Sequence, residues 1–154
     1  MWATLTPEIL ARFPRHPLNG AINGVHASSG TTPQGDWDAR IAELDVFRTY
    51  TDDWDGQGAA GLAAPAAAIG GELVDSAVTL AKSLQNQGVL APDAVCPGVE
   101  GTVCLEWDLS GGGSASLEVK EPGKAELFVF MPGNPGVLTL LTDAVTASPA
   151  EGRT

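Results

Sequence analysis

The sequence predicts one α+β domain, in which two helices pack on one face of a three- to four-stranded antiparallel sheet, with an extended N-terminal arm. Apolar residues recur at helical spacing in two successive segments, and apolar and polar residues alternate in the segments that follow. Most of the 11 prolines and 19 glycines lie outside these segments. We therefore predict an arm over residues 1–35, a domain over 36–146 and a flexible tail over 147–154.

The arm contains one short periodic piece, Pro7–Phe13, which Thr6 could cap as a helical turn. Its compact apolar group consists of Ile9, Leu10 and Phe13. The rest is rich in proline and glycine and too poor in large apolar residues to form a core. We expect most of the arm to be mobile in the isolated protein, with the apolar group acting as an anchor on a partner or on a second copy.

Two amphipathic helices are expected after the arm. The first begins near Asp36, and either Asp36 or Thr32 is placed to cap its N-terminus. The second ends near Gly88. Their apolar stripes are Trp37, Ile41, Leu44 and Phe47 in the first helix, and Ile69, Leu73, Ala77, Leu80 and Leu84 in the second.

The first helix runs into an unusual acidic turn, Asp53, Trp54, Asp55 and Gly56. Acidic residues at a helix C-terminus oppose the macrodipole, so we expect Asp53 and Asp55 to accept hydrogen bonds from backbone amides of the next loop. A calcium loop would need a glutamate at its twelfth position, and the two possible registers place Ala64 or Leu62 there. We interpret the segment as a structural turn in which Trp54 fills the helix–sheet junction, and we predict no metal.

Three strands follow a turn-rich connection over residues 93–101. Val103–Leu109 alternates at the strand period, the three glycines 111–113 close a hairpin into Ala115–Lys120, and Ala125–Phe130 forms a third, well-buried strand. The segment Val137–Val145 fits either a fourth strand or a short helix.

Composition excludes several functions. A net charge of −11 argues against direct nucleic-acid binding, which requires lysine and arginine to displace counterions. No run of about 18 apolar residues could span a membrane, and the first residues do not resemble a signal peptide, so we expect a cytoplasmic location. Cys96 and Cys104 lack metal or redox spacing. We interpret Cys104 as a small buried hydrophobe and do not favour a disulfide between the two.

A set of motifs resembles a group of small uncharacterised bacterial proteins. The shared features are a WDG-x-GA turn at Trp54–Ala59, a Pro-led helix after Pro65, and an LEW strand at Leu105–Trp107 followed by the strand at Leu117–Val119. The likeness covers roughly residues 37–130. It implies a common fold unit and no particular activity, and the arm and the segment after residue 136 depart from it.

Catalytic patterns are incomplete. Glu106 and Glu118 could face each other across the hairpin, although charged residues are common on a solvent-facing sheet. His16 and His26 lie in the arm without a metal-ligand motif, and the sequence contains neither a nucleophile elbow nor a phosphate-binding loop. We therefore predict no enzyme activity and no cofactor.

The favoured hypothesis is a small acidic interaction subunit or regulator, such as an inhibitor, an immunity-like protein or an accessory component. Its partner is another protein, which could present a basic surface, and its oligomeric state is left open. One alternative is a metal-binding or hydrolytic module centred on Asp53, Asp55 and Glu106; another is an acidic mimic of nucleic acid. The candidate partner-binding residues are Ile9, Leu10, Phe13, Glu106, Glu118 and Phe128.

Overall fold

The computed structural model describes residues 6–13 and 33–142 and confirms the α+β class. Its helical elements are α1 (Pro7–Leu10), α2 (Pro33–Val46), a 3-10 turn (Phe47–Thr49) and α3 (Gly71–Asn86); its strands are β1 (Ala94–Pro97), β2 (Val103–Asp108), β3 (Ser114–Glu121), β4 (Lys124–Phe130) and β5 (Val137–Thr142).

The strands form one open antiparallel sheet in the order β1-β2-β3-β4-β5, so that each strand pairs with the next in the chain. The predicted count of three to four strands was too low. The segment interpreted as a connection contains β1, whose Val95 pairs with Leu105 of β2. The undecided segment is also a strand, since Val137 of β5 pairs with Val129 of β4.

One hydrophobic core joins the helices to one face of the sheet. The buried side of α3 presents Leu73, Ala77, Leu80 and Leu84 at the predicted helical spacing. On the strands, alternate residues enter the same buried cluster, as the pleat of a strand requires: Val103, Leu105 and Trp107 on β2, Ala115, Leu117 and Val119 on β3, and Ala125 and Leu127 on β4. The other set of side chains therefore faces away from the helices.

The apolar group of the arm packs on this core. Thr6 caps α1 as expected, its hydroxyl accepting a hydrogen bond from the amide of Ile9 at 3.2 Å. Phe13 is only 4% exposed and belongs to the buried cluster, while Ile9 and Leu10 are half-buried against it. These side chains thus pack on the core of their own chain, whereas we expected them to act as an anchor on a partner or on a second copy.

The predicted boundary at residue 36 falls inside α2, which begins at Pro33. The predicted mobility of the arm and of the tail 147–154 concerns mainly residues outside the described ranges, 6–13 and 33–142, and stays a prediction. Within those ranges, no helix is both long enough and apolar enough to cross a membrane.

The loop between α3 and β1 is fastened from two sides. The indole of Trp37 on α2 donates to the carbonyl of Val89, and the indole of Trp107 on β2 donates to the carbonyl of Leu90, both at 2.8 Å. Arg40 adds a hydrogen bond from Nε to the carbonyl of Pro92 at 2.9 Å. Buried indole N–H groups need such acceptors, so the loop satisfies both tryptophans.

Candidate functional site

The face of the sheet turned away from the helices is the candidate site, and we call it the open face. Strand pairing places its residues side by side: Cys104 is opposite Glu118, Ser116 is opposite Phe128, and Phe128 is opposite Leu138. Its larger side chains include Cys96, Cys104, Glu106, Asp108, Glu118, Lys120, Lys124, Glu126, Phe128, Phe130, Leu138 and Leu140.

The half of the open face on β4 and β5 carries four large apolar side chains, with Glu126 opposite one of them, Leu140; we call it the apolar half. Phe128 and Phe130 are 43% and 41% exposed, and Leu138 and Leu140 are 57% and 68% exposed. The Phe128 ring lies so close to Gly136 that a Cβ at this glycine would overlap it. Scattered single apolar residues are normal on a surface, but neighbouring ones on adjacent strands form a patch that marks an interaction site.

The half on β2 and β3 is acidic. Glu106 is opposite Ser116, so it does not pair with Glu118 as the sequence suggested it could. Glu118 instead accepts a hydrogen bond from the Thr102 hydroxyl at 2.8 Å. These two carboxylates are displaced along the strands and have different neighbours. The register therefore does not make Glu106 and Glu118 a facing pair for acid–base chemistry. The residue opposite Glu118 on β4 is Glu126, which is ion-paired with Lys120 at 3.1 Å.

Cys96 and Cys104 also lie on the open face, directly opposite each other on β1 and β2, and both are free thiols. Cys104 is half-buried and lies outside the core cluster, so it is not the small buried hydrophobe that we expected. Its Sγ lies 3.2 Å from the Ser116 hydroxyl. Burial raises the pKa of Cys104 from its ordinary 9.0 to about 11, with a smaller contribution in the same direction from Glu106. Burial also raises the pKa of Cys96.

The acidic turn follows the 3-10 turn, and its carboxylates accept hydrogen bonds from backbone amides of the same loop. Asp53 accepts hydrogen bonds from the amides of Gly58 at 2.8 Å and Ala59 at 2.9 Å, and Asp55 accepts one from Gln57 at 3.1 Å. Both residues thus have the loop-amide partners that the sequence predicts. Asp53 has φ 61°, the single positive value at a non-glycine residue in the ranges 6–13 and 33–142.

Trp54 holds the returning loop. Its indole donates to the carbonyl of Ala67 at 2.9 Å, and its ring lies 5.1 Å from that of Tyr50, centroid to centroid. Nearby, Asp52 accepts a hydrogen bond from the amide of Ala68 at 3.0 Å. Trp54 is half-buried and does not belong to the core cluster, and these contacts join the loop to the end of the helical segment. Its expected role in filling the helix–sheet junction stays a prediction.

A pocket of about 230 Å³ lies beside the apolar half, where the β3–β4 turn meets the end of β5. Lys120 and Lys124 line it, together with Leu140 and Thr142. Lys120 pairs with Glu126 at 3.1 Å and Lys124 pairs with Glu121 at 3.6 Å. Both cations are therefore balanced locally, which gives the pocket no positive charge in excess.

A metal centre would require potential metal ligands that are grouped together. Within the part of the chain that the structure describes, no three histidine, cysteine, aspartate or glutamate side chains are grouped so as to hold a metal ion. Asp53 and Asp55 are engaged by the loop, whereas Glu106 lies exposed on β2. The structure therefore does not bring together the three residues that the metal-binding or hydrolytic alternative requires.

Comparisons of the chain with protein-family models, with curated proteins and with solved structures gave no match. The resemblance based on the WDG-x-GA turn and the LEW strand accordingly stays a prediction.

Sequence reasoning identified Phe128 but missed the residues that extend its patch. Phe130, Leu138 and Leu140 lie on the same face because they share its strand parity on β4 and β5. The signal was present in the uncharged run Val137–Thr142. It could not be used without knowing whether this run was a strand or a helix.

Proposed function

We propose that this protein is an acidic interaction subunit or regulator that binds another protein through the open face of its sheet. The observation that carries the proposal is the apolar half of that face, where Phe128, Phe130, Leu138 and Leu140 lie next to each other with 41–68% of their surfaces exposed. Hydration of such an apolar cluster is unfavourable in free energy, and a docked partner would bury the cluster away from water.

The acidic half of the open face indicates the chemistry of the partner. Glu106 and Asp108 are exposed on β2, separated from the apolar half by the serines of β3, in a chain with a net charge of −11. A partner with an apolar centre bordered by lysine or arginine would match both halves. Such charges chiefly accelerate association and select the partner, while burial of the aromatic and leucine side chains provides affinity.

Phe13 has no place among the binding residues of this proposal, because it is buried, and Ile9 and Leu10 are half-buried on the same core. Glu118 contributes charge at the border of the apolar half. A cytoplasmic location and the absence of an enzymatic reaction belong to the same proposal. The acidic-mimic alternative receives less support, since the carboxylates share the open face with a patch of large exposed apolar side chains.

The test is affinity purification with three immobilised forms of the protein and quantitative mass spectrometry of what each retains. Phe128→Ser removes an exposed ring from the open face, and Leu62→Ser removes an exposed leucine (73%) from a distant loop as a matched control. A partner bound through the open face is retained by the wild type and the Leu62 variant and lost from the Phe128 variant. Equal retention by all three forms would show that this face is not the binding surface.

Raising the salt concentration provides an independent measurement on the same partner. Attraction between the acidic half and a basic surface is screened by salt, so the association rate should fall. An association rate that does not change with salt would contradict the basic chemistry assigned to the partner.

A further inference from the structure

Among the described residues, the outer edge of β5 has no strand paired with it, since β5 is the last strand of the sheet. Its six residues, VLTLLT, include no charge, proline or glycine. Exposed edge strands usually carry charges or prolines or are very short, because their free N–H and C=O groups can pair with another chain. β1, at the opposite edge, is four residues long and ends in Pro97.

Apolar side chains of β5 flank its outer edge on both faces of the sheet. Leu138 and Leu140 point to the open face and are more than half exposed, and Val137 is 40% exposed at the start of the strand. Phe128 lies beside Leu138 on the adjacent strand. The edge is therefore bordered by apolar surface that a paired strand would cover.

The charge near β5 permits approach of an identical molecule. Residues 109–142 contain two lysines and three glutamates, a net charge of −1, whereas the whole chain carries −11. Two of the glutamates form ion pairs with the lysines close to the end of β5. The part of the sequence that contains β3, β4 and β5 is thus almost neutral, and a second copy meets little repulsion there.

We propose that β5 pairs with β5 of a second copy, antiparallel about a two-fold axis perpendicular to the sheet, joining two five-stranded sheets into one. Such symmetry makes the interface self-complementary. It also requires that residues opposite each other share a face, because paired side chains in an antiparallel sheet point the same way. The open faces of both copies then lie on the same side, and the binding surface is duplicated.

One register satisfies these conditions with matched side chains. When Thr139 lies on the axis opposite its own copy, Leu138 is opposite Leu140 and Val137 is opposite Leu141. All cross-strand pairs are then apolar or Thr–Thr, both of which stabilise antiparallel pairs. Moving the axis to Leu140 places Leu138 opposite Thr142 and Thr139 opposite Leu141, which mixes apolar and polar partners.

The interface is small, because it consists of one short strand ladder and its flanking side chains. Stable dimers usually bury more surface than this. We therefore expect a concentration-dependent equilibrium between monomer and dimer, with a dissociation constant in the micromolar range, and not an obligate dimer.

The experiment measures molar mass by light scattering and sedimentation of the full chain from low micromolar to near-millimolar concentration. The wild type should approach twice its 15.8 kDa mass. Leu140→Lys should weaken the dimer by about tenfold or more, because the ammonium would lie opposite an apolar residue of the copy. Leu62→Lys makes the same change on an exposed loop and should have no effect. Leu138→Lys serves as a second variant, and circular dichroism verifies that each protein is folded.

Two further measurements distinguish a dimer formed through β5 from one formed through another surface. Amide hydrogens of β5 should exchange more slowly in the dimer, and added salt should leave the dimer unchanged or strengthen it by screening the overall negative charge. A protein that remains monomeric at every concentration overturns the proposal. A dimer that forms equally well in both β5 variants, or that dissociates in salt, overturns it as well by assigning the contact to another surface.

Discussion

Phe13 and Trp107 meet edge to face, with ring centroids 5.1 Å apart and an angle of 71° between the ring planes. The contact joins the N-terminal arm to the end of β2. Trp107 is 1% exposed and donates its indole N–H to the α3–β1 loop, so Phe13 covers a residue on which several elements depend.

Replacing Phe13 with alanine should therefore destabilise the protein by about 3 kcal/mol, which is the cost of truncating a buried aromatic residue. Urea denaturation followed by tryptophan fluorescence measures this. Glu8→Ala, on the exposed side of α1, is the control and should change the free energy of unfolding by less than about 0.5 kcal/mol. A Phe13 variant as stable as the wild type, but defective in partner binding, would restore the anchor role first expected for the arm.

Asp53 provides a second prediction, since it combines positive φ with two accepted hydrogen bonds. Asp53→Ala loses both bonds and keeps the unfavourable backbone conformation, so we expect a loss of about 2–3 kcal/mol. Asp53→Gly removes the conformational cost while still losing the bonds and should be less destabilised than the alanine variant. Equal stability of the two variants would show that backbone strain at this position is negligible.

The acidic turn should bind no divalent metal tightly. Its carboxylates accept hydrogen bonds from Gly58, Ala59 and Gln57, and they would have to release these amides to coordinate an ion. Calorimetric titration with calcium and with magnesium should give no saturable heat in the micromolar range. Micromolar binding that disappears in Asp55→Asn would instead support the metal-dependent alternative.

Two substitutions at Trp54 separate the contribution of its hydrogen bond to stability from the contribution of its packing. Trp54→Phe keeps a ring beside Tyr50 and loses the bond to Ala67, which should cost about 1 kcal/mol. Trp54→Ala loses both and should cost about 2–3 kcal/mol, less than a fully buried tryptophan, because the side chain is half-buried. Thermal and urea unfolding of both variants measure the difference. Equal losses would mean that the ring contact contributes nothing.

Cys104 should make stability depend on pH in the alkaline range. Its folded-state pKa is raised, so the folded protein retains a thiol proton that the unfolded chain releases. The resulting stabilisation is complete below about pH 9 and is lost as the pH rises from 9 to about 11. The difference in unfolding free energy between the wild type and Cys104→Ala should shrink over this window. A difference that is constant from pH 8 to about 11 would contradict the raised pKa.

The helices and β2 to β4 were predictable because their residues repeat at the period of their own element. Trp37 and Leu44 illustrate this for α2. β1 was missed because it has four residues and ends in Pro97, a residue that normally indicates a turn or an edge. Its strand conformation comes from pairing with β2, which a local pattern does not contain.

The candidate site was predictable to a smaller extent. The loop-amide partners of Asp53 follow from local chemistry, and the prediction was confirmed. The burial of Phe13 depends on Trp107, which is distant in the chain, so local periodicity could not reveal it. The apolar half of the open face likewise depends on pairing between β4 and β5, which aligns Phe128 with Leu138.

The adjacent carbonyls of Val89 and Leu90, one held by α2 and the other by β2, have a consequence for how the molecule unfolds. Opening this loop would leave two buried indole N–H groups without acceptors at the same time, one on each layer. The helical layer therefore gains little by separating from the sheet on its own. Fluorescence from the tryptophans and circular dichroism from the helices should report a single cooperative transition.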